Sequence, residues 1–158
     1  MRRLVAPAVA AMALLAGCGG GESTPKAAYE REFNAAREAF TARVQALDQP
    51  PNDAPADVRA VAGDEVAAEI ARFVDGLEAL EPPQEVARAH ADLAAAFRES
   101  AALTALAADE LRDGDEEGVR DIARKLSDRS AVDKRAEDAV QVFVEKDYVL
   151  DLDFELGG

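Results

Sequence analysis

Four long stretches of this chain place their larger apolar residues at steps of three and four, and the first three end at a proline or glycine reversal. Such spacing puts one apolar stripe on a helix, and amphipathic helices joined by short turns pack as antiparallel neighbours. The first stretch covers residues 26–47, with Tyr29, Phe33, Phe40, Val44 and Leu47 on its stripe and Ala36 in the gap. It stops at Asp48-Gln49-Pro50-Pro51-Asn52-Asp53, a strong breaker. The second covers 56–80, with Val58, Val61, Val66, Ile70, Phe73, Leu77 and Leu80 in line. Gly63 costs about 1 kcal/mol relative to alanine in a helix, which predicts a kink or a break there.

Glu81-Pro82-Pro83 marks a tight reversal into a third helix over 83–112. Its stripe is Val86, His90, Leu93, Phe97, Ala101, Thr104, Ala107 or Ala108, and Leu111. Gly114 reads as its C-terminal cap and Asp115 as the N-cap of a fourth helix over 116–146. Val119, Ile122, Leu126, Ser130, Asp133, Ala136, Val140 and Phe143 line that helix. The expected fold is all-α, an antiparallel up-down four-helix bundle over 26–147. Its third and fourth helices, about 45 Å long at 1.5 Å per residue, form a hairpin projecting beyond the shorter pair. The chain then changes period. Leu150, Leu152, Phe154 and Leu156 alternate with Asp151, Asp153 and Glu155, a strand-like pattern in a tail, 148–158, that has no strand to pair with.

The N-terminus carries the most specific signal. Met1-Arg2-Arg3 precedes an apolar run over 4–15, which as a helix would span only about 18 Å, too short for a bilayer core. The run ends Leu15-Ala16-Gly17-Cys18. This segment resembles the signal peptide and lipobox of bacterial lipoproteins, with 1–17 as the signal peptide and Cys18 as the acylated residue. Cys18 is the chain's single cysteine. The resemblance implies an extracytoplasmic protein held at the cell membrane by its N-terminal lipid, or at the outer membrane in a Gram-negative host. Two or more acyl chains, at about 0.8 kcal/mol per buried CH₂, anchor stably. Residues 19–25 read as a flexible tether reaching at most about 25 Å.

Composition narrows the function. The net charge is −14, which argues against nucleic acid as a partner. One cysteine and one histidine leave no multi-cysteine zinc site, disulfide scaffold or Cys-His nucleophile pair. His90 lies on an apolar stripe. It reads as a metal ligand, a small-ligand contact or a proton switch, or as a histidine bonded to an acid or carbonyl at the bundle edge. Residue 87 is alanine, so the Glu-x-x-His pairing of di-iron bundles is missing. Ser100, Thr104, Ser127, Ser130 and Asp133 suggest either a polar layer or hydroxyls bonded back to their own helices. Residues 109–121 carry a net charge of −5. Asp113, Asp115, Glu116 and Glu117 in that turn are candidates for contact with a cation or a basic partner, or form a solvated, capped hairpin. Leu152 and Phe154 of the tail either close the bundle core or join a partner's sheet edge. No cofactor is expected. The expected function is a non-enzymatic interaction or scaffold module contacting another envelope protein, with a small-ligand or metal-binding lipoprotein centred on His90 as the alternative.

Overall fold

A computed structural model describes residues 24–127 and 131–152. The signal segment, Cys18, Ser130 and Phe154 lie outside the described residues, as do the side chains of Leu126, Ser127 and Asp133. Five helices make up the regular structure: α1 Pro25–Gln45, α2 Ala56–Glu78, α3 Ala87–Asp113, α4 Glu116–Ser127 and α5 Ala131–Glu145. There is no strand among the described residues. The expected fourth helix is thus seen as α4 and α5.

Local chemistry accounts for the helix ends. Thr24 caps α1 by accepting from the Ala27 N–H at 3.2 Å, with Pro25 at the first helical position. Gly114 closes α3 in the left-handed conformation, φ 73°. Asp115 caps α4, its Oδ1 accepting from the N–H groups of Glu117 at 3.0 Å and Gly118 at 2.9 Å. The third helix begins later than its proline signal suggests, because residues 84–86 form a turn and Val86 holds ψ near 2° before the first helical residue.

α3 is the central element, packing on α2, α4 and α5. α2 runs antiparallel to it: the Leu77 carbonyl meets His90, Phe73 meets the edge of Phe97, and Gly63 meets Ala108. α2 is unbroken at Gly63. The missing side chain serves a close helix approach instead, since a Cβ there would lie 3.2 Å from the Ala108 Cβ. This register sets the start of α2 level with the α3–α4 turn. The turn therefore extends past the end of α1 but not past α2, contrary to the projection expected from helix lengths.

The core is aromatic at one end and alanine-rich at the other. Tyr29, Phe33, Phe40, Phe73, Leu77, Leu93 and Phe143 are buried together. On α2 the buried face runs through Ala60, Ala67, Ile70, Phe73, Val74 and Leu77. Val58 and Val61, expected on the stripe, are exposed instead. The reason is the length of α1. Phe40 stacks on Phe73 with centroids 4.8 Å apart, and Arg43 bonds Glu69 at 2.7 Å. α1 then ends at Gln45, level with the middle of α2, and leaves the flank of α2 nearer its start uncovered.

Candidate functional site

Three sequence-derived candidates fall within the described residues: His90, the acidic turn and the C-terminal tail as far as Leu152. His90 is buried between α1, α2 and α3. Its Nε2 lies 3.0 Å from the Leu77 carbonyl and its Nδ1 lies 2.8 Å from the Tyr29 hydroxyl. A carbonyl can only accept, so Nε2 carries the proton. In the neutral ring Nδ1 is then an acceptor, and the Tyr29 hydroxyl donates to it. Burial pushes the His90 pKa below the ordinary histidine value, opposed by the Leu77 hydrogen bond and the charge of Glu78. Both ring nitrogens are engaged by the protein, and no group of three metal-capable side chains occurs among the described residues. An open depression of about 500 Å³ lies beside His90, with Glu78 and Arg98 on its rim. Those two rim residues pair with each other.

Tyr29 joins this histidine to the aromatic core. Its ring meets His90, Tyr148 and Phe143 at centroid distances of 5.7, 5.9 and 6.2 Å. Burial, and then the neighbouring Tyr148, push its pKa well above the ordinary tyrosine value. Tyr148 donates to Glu85 at 3.0 Å. Its pKa is pushed up to about 12 by burial first, then by the Glu85 hydrogen bond and charge and by Glu30. Both phenols stay protonated at neutral pH and act as donors.

The tail does not stand alone. Over residues 148–152 it lies extended along α1, and polar side chains of α1 supply the partner that a strand would have. The Val149 N–H donates to Glu30 at 2.9 Å. The Asn34 amide makes two bonds, its Nδ2 donating to the Val149 carbonyl at 3.0 Å and its Oδ1 accepting from the Asp151 N–H at 2.8 Å. Arg37 pairs with the Asp151 carboxylate. Residues 30, 34 and 37 are one stripe of a helix, and the extended backbone passes over it with alternate side chains inward. Tyr148 is buried and Leu150 and Leu152 pack on the core, while Val149 faces out at 75% exposure. Asp147 takes φ 56° to turn the chain from α5 onto this path. The period-2 pattern thus reflects packing on the chain's own core as far as Leu152.

The acidic turn is built as a cap. Asp115 is occupied with its two backbone donors, and Asp113, Glu116 and Glu117 are exposed. Thr104 bonds back to the Ser100 carbonyl at 2.9 Å, so this part of the polar layer is local. One buried carboxylate escaped the sequence reading. Glu69 sits between Arg43 and Arg72 and bonds both. Burial would raise its pKa, but the Arg43 and Arg72 hydrogen bonds and charges outweigh that and hold it below the usual carboxylate range. Its only sequence signal was the arginine three residues on, because Arg43 comes from another helix. No family model, no curated protein and no solved structure matches the chain.

Proposed function

We propose that this protein is a lipid-anchored, extracytoplasmic interaction module: an antiparallel up-down helical bundle, tethered through Cys18, that binds another envelope protein without catalysis. The observation that carries the reading is the sequence Leu15-Ala16-Gly17-Cys18, which places the chain's single cysteine where a lipobox requires it. Only six residues separate Cys18 from Pro25 in the sequence, a tether that would keep the bundle close to the anchor. The internal engagement of His90 and Glu69 also favours a role for the surface, since these buried polar groups already serve the fold. No helix among the described residues is long and apolar enough to cross a membrane.

The test is cross-linking of the full chain in its native cells, followed by capture and mass spectrometry, with Cys18→Ala as the mislocalised control. A stoichiometric envelope protein recovered only with Cys18 supports the proposal. Recovery of lipid and background proteins alone rejects it. A second reading, a small-ligand or metal-binding lipoprotein, has the depression beside His90 in its favour. It requires thermal stabilisation by a ligand that is lost in His90→Ala.

A further inference from the structure

Among the described helices, none covers one flank of α2, on the side where α1 has ended. Val58 and Val61 stand there, 46% and 55% exposed. With Ala62, Glu65 and the loop residues Asp48 and Pro50 they line a groove of about 500 Å³. Asp48 and Glu65 give it an acidic rim, and neither forms an ion pair with another described residue. Asp64, beside Glu65 in sequence, is by contrast neutralised by Arg112 of α3. The groove therefore combines exposed apolar surface with uncompensated negative charge, on a chain whose net charge is −14.

We propose that this groove docks a basic, amphipathic peptide segment of a partner protein, with apolar side chains on Val58 and Val61 and Lys or Arg heads on Asp48 and Glu65. The inference rests on the interaction-module reading and gives that module a surface and a partner chemistry. Long basic side chains suit the site because their stems cover apolar surface while their heads reach the rim. A second copy of this chain is a poor occupant, since it brings the same carboxylates and the same net charge. Anionic lipid headgroups are repelled for the same reason.

The full chain carrying Cys18→Ser, with ¹³C-labelled valine and alanine methyls, is titrated with a synthetic helical peptide of leucine and lysine, about fifteen residues long. A leucine and glutamate peptide of equal length is the control. The methyls of Val58, Val61 and Ala62 shift with the lysine peptide and not with the glutamate one. The double variant Val58→Ser, Val61→Ser weakens binding by about tenfold or more, since it removes apolar contact on both residues. Asp48→Asn with Glu65→Gln weakens it too and flattens its salt dependence. These positions are exposed, so an unchanged melting curve shows that the fold is intact. The proposal is overturned if the peptide does not bind, if it shifts the Val119 methyls beside the acidic turn instead, or if the valine variant binds as tightly as the parent. Cross-linking in cells reads the broader proposal separately. A Cys18-dependent partner that is not captured by a photo-reactive residue at position 61 overturns the groove and leaves the module standing. No partner at all overturns the module, while the peptide titration still decides the chemistry of the groove.

Discussion

Replacing Tyr29 by phenylalanine removes one oxygen from the middle of the buried core and tests the wiring of His90. The rings around Tyr29 keep their contacts, because Phe33, His90, Phe143 and Tyr148 all meet its ring rather than its hydroxyl. What is lost is the 2.8 Å bond to Nδ1. An unmade buried hydrogen bond costs about 1–3 kcal/mol. At about 4 °C per kcal/mol for a domain of this size, Tyr29→Phe lowers the melting temperature by about 4–12 °C. His90→Leu removes the acceptor instead, and the Leu77 carbonyl is then still satisfied by the Leu80 N–H at 3.0 Å. The double variant leaves neither group orphaned. It should be less destabilised than the sum of the singles by about 1 kcal/mol or more. Urea unfolding followed by circular dichroism at pH 7.5 measures all four proteins. A Tyr29→Phe variant within about 0.3 kcal/mol of the parent, or strictly additive variants, would refute the coupling.

The same site gives a pH dependence with a defined sign. The folded His90 pKa lies below its unfolded value, so below about pH 6.5 the unfolded chain binds more protons than the folded one. The contribution is complete above that pH and is lost as pH falls through the folded value. Stability measured from pH 7.5 to 5 should therefore decline, and His90→Leu should flatten the decline. Glu69 acts in the same direction at lower pH, its contribution being lost as pH falls through its depressed value. Glu69→Gln should flatten the acid limb of the same profile below the ordinary carboxylate range. Ending the chain after Asp147 removes buried Tyr148 together with Leu150 and Leu152, and should cost about 3–5 kcal/mol in urea unfolding. Asn34→Ala, which removes only the amide clamp on that segment, should cost about 1–2 kcal/mol; a thermally neutral truncation would contradict the docked tail. Gly76→Ala meets nothing within 4 Å and should gain up to about 1 kcal/mol of helix propensity. Gly63→Ala should gain less or lose stability, because its Cβ crowds Ala108 at 3.2 Å.

Features written locally were legible in the sequence. The stripe of Tyr29, Phe33, Phe40 and Val44 is buried as its spacing predicts, and Gly114 and Asp115 take the cap positions assigned to them. What stayed hidden depended on where a different element stops or passes. Val58 and Val61 continue an apolar period on α2, yet they are exposed because α1 ends too early to cover them. The buried face there runs through Ala60 and Ala67, residues too common in this chain to stand out. Glu30, Asn34 and Arg37 look like a solvated face of α1 until the tail lies across them. Their spacing of four and three, opposite an extended segment of period 2, was the available signal. His90 was legible as buried or half-buried, but not its partner, a tyrosine 61 residues away.

The buried polar groups His90 and Glu69 serve the fold, which leaves the surface to carry the proposed function. Long-range ¹H–¹⁵N correlation of the single histidine across pH, with and without added zinc, tests it most directly. The expected result is a neutral ring protonated at Nε2 at pH 7, titrating below the ordinary histidine value and unmoved by the metal. A ring protonated at Nδ1, a titration at or above about pH 6.5, or a zinc-induced shift would contradict it and move the function to the His90 site.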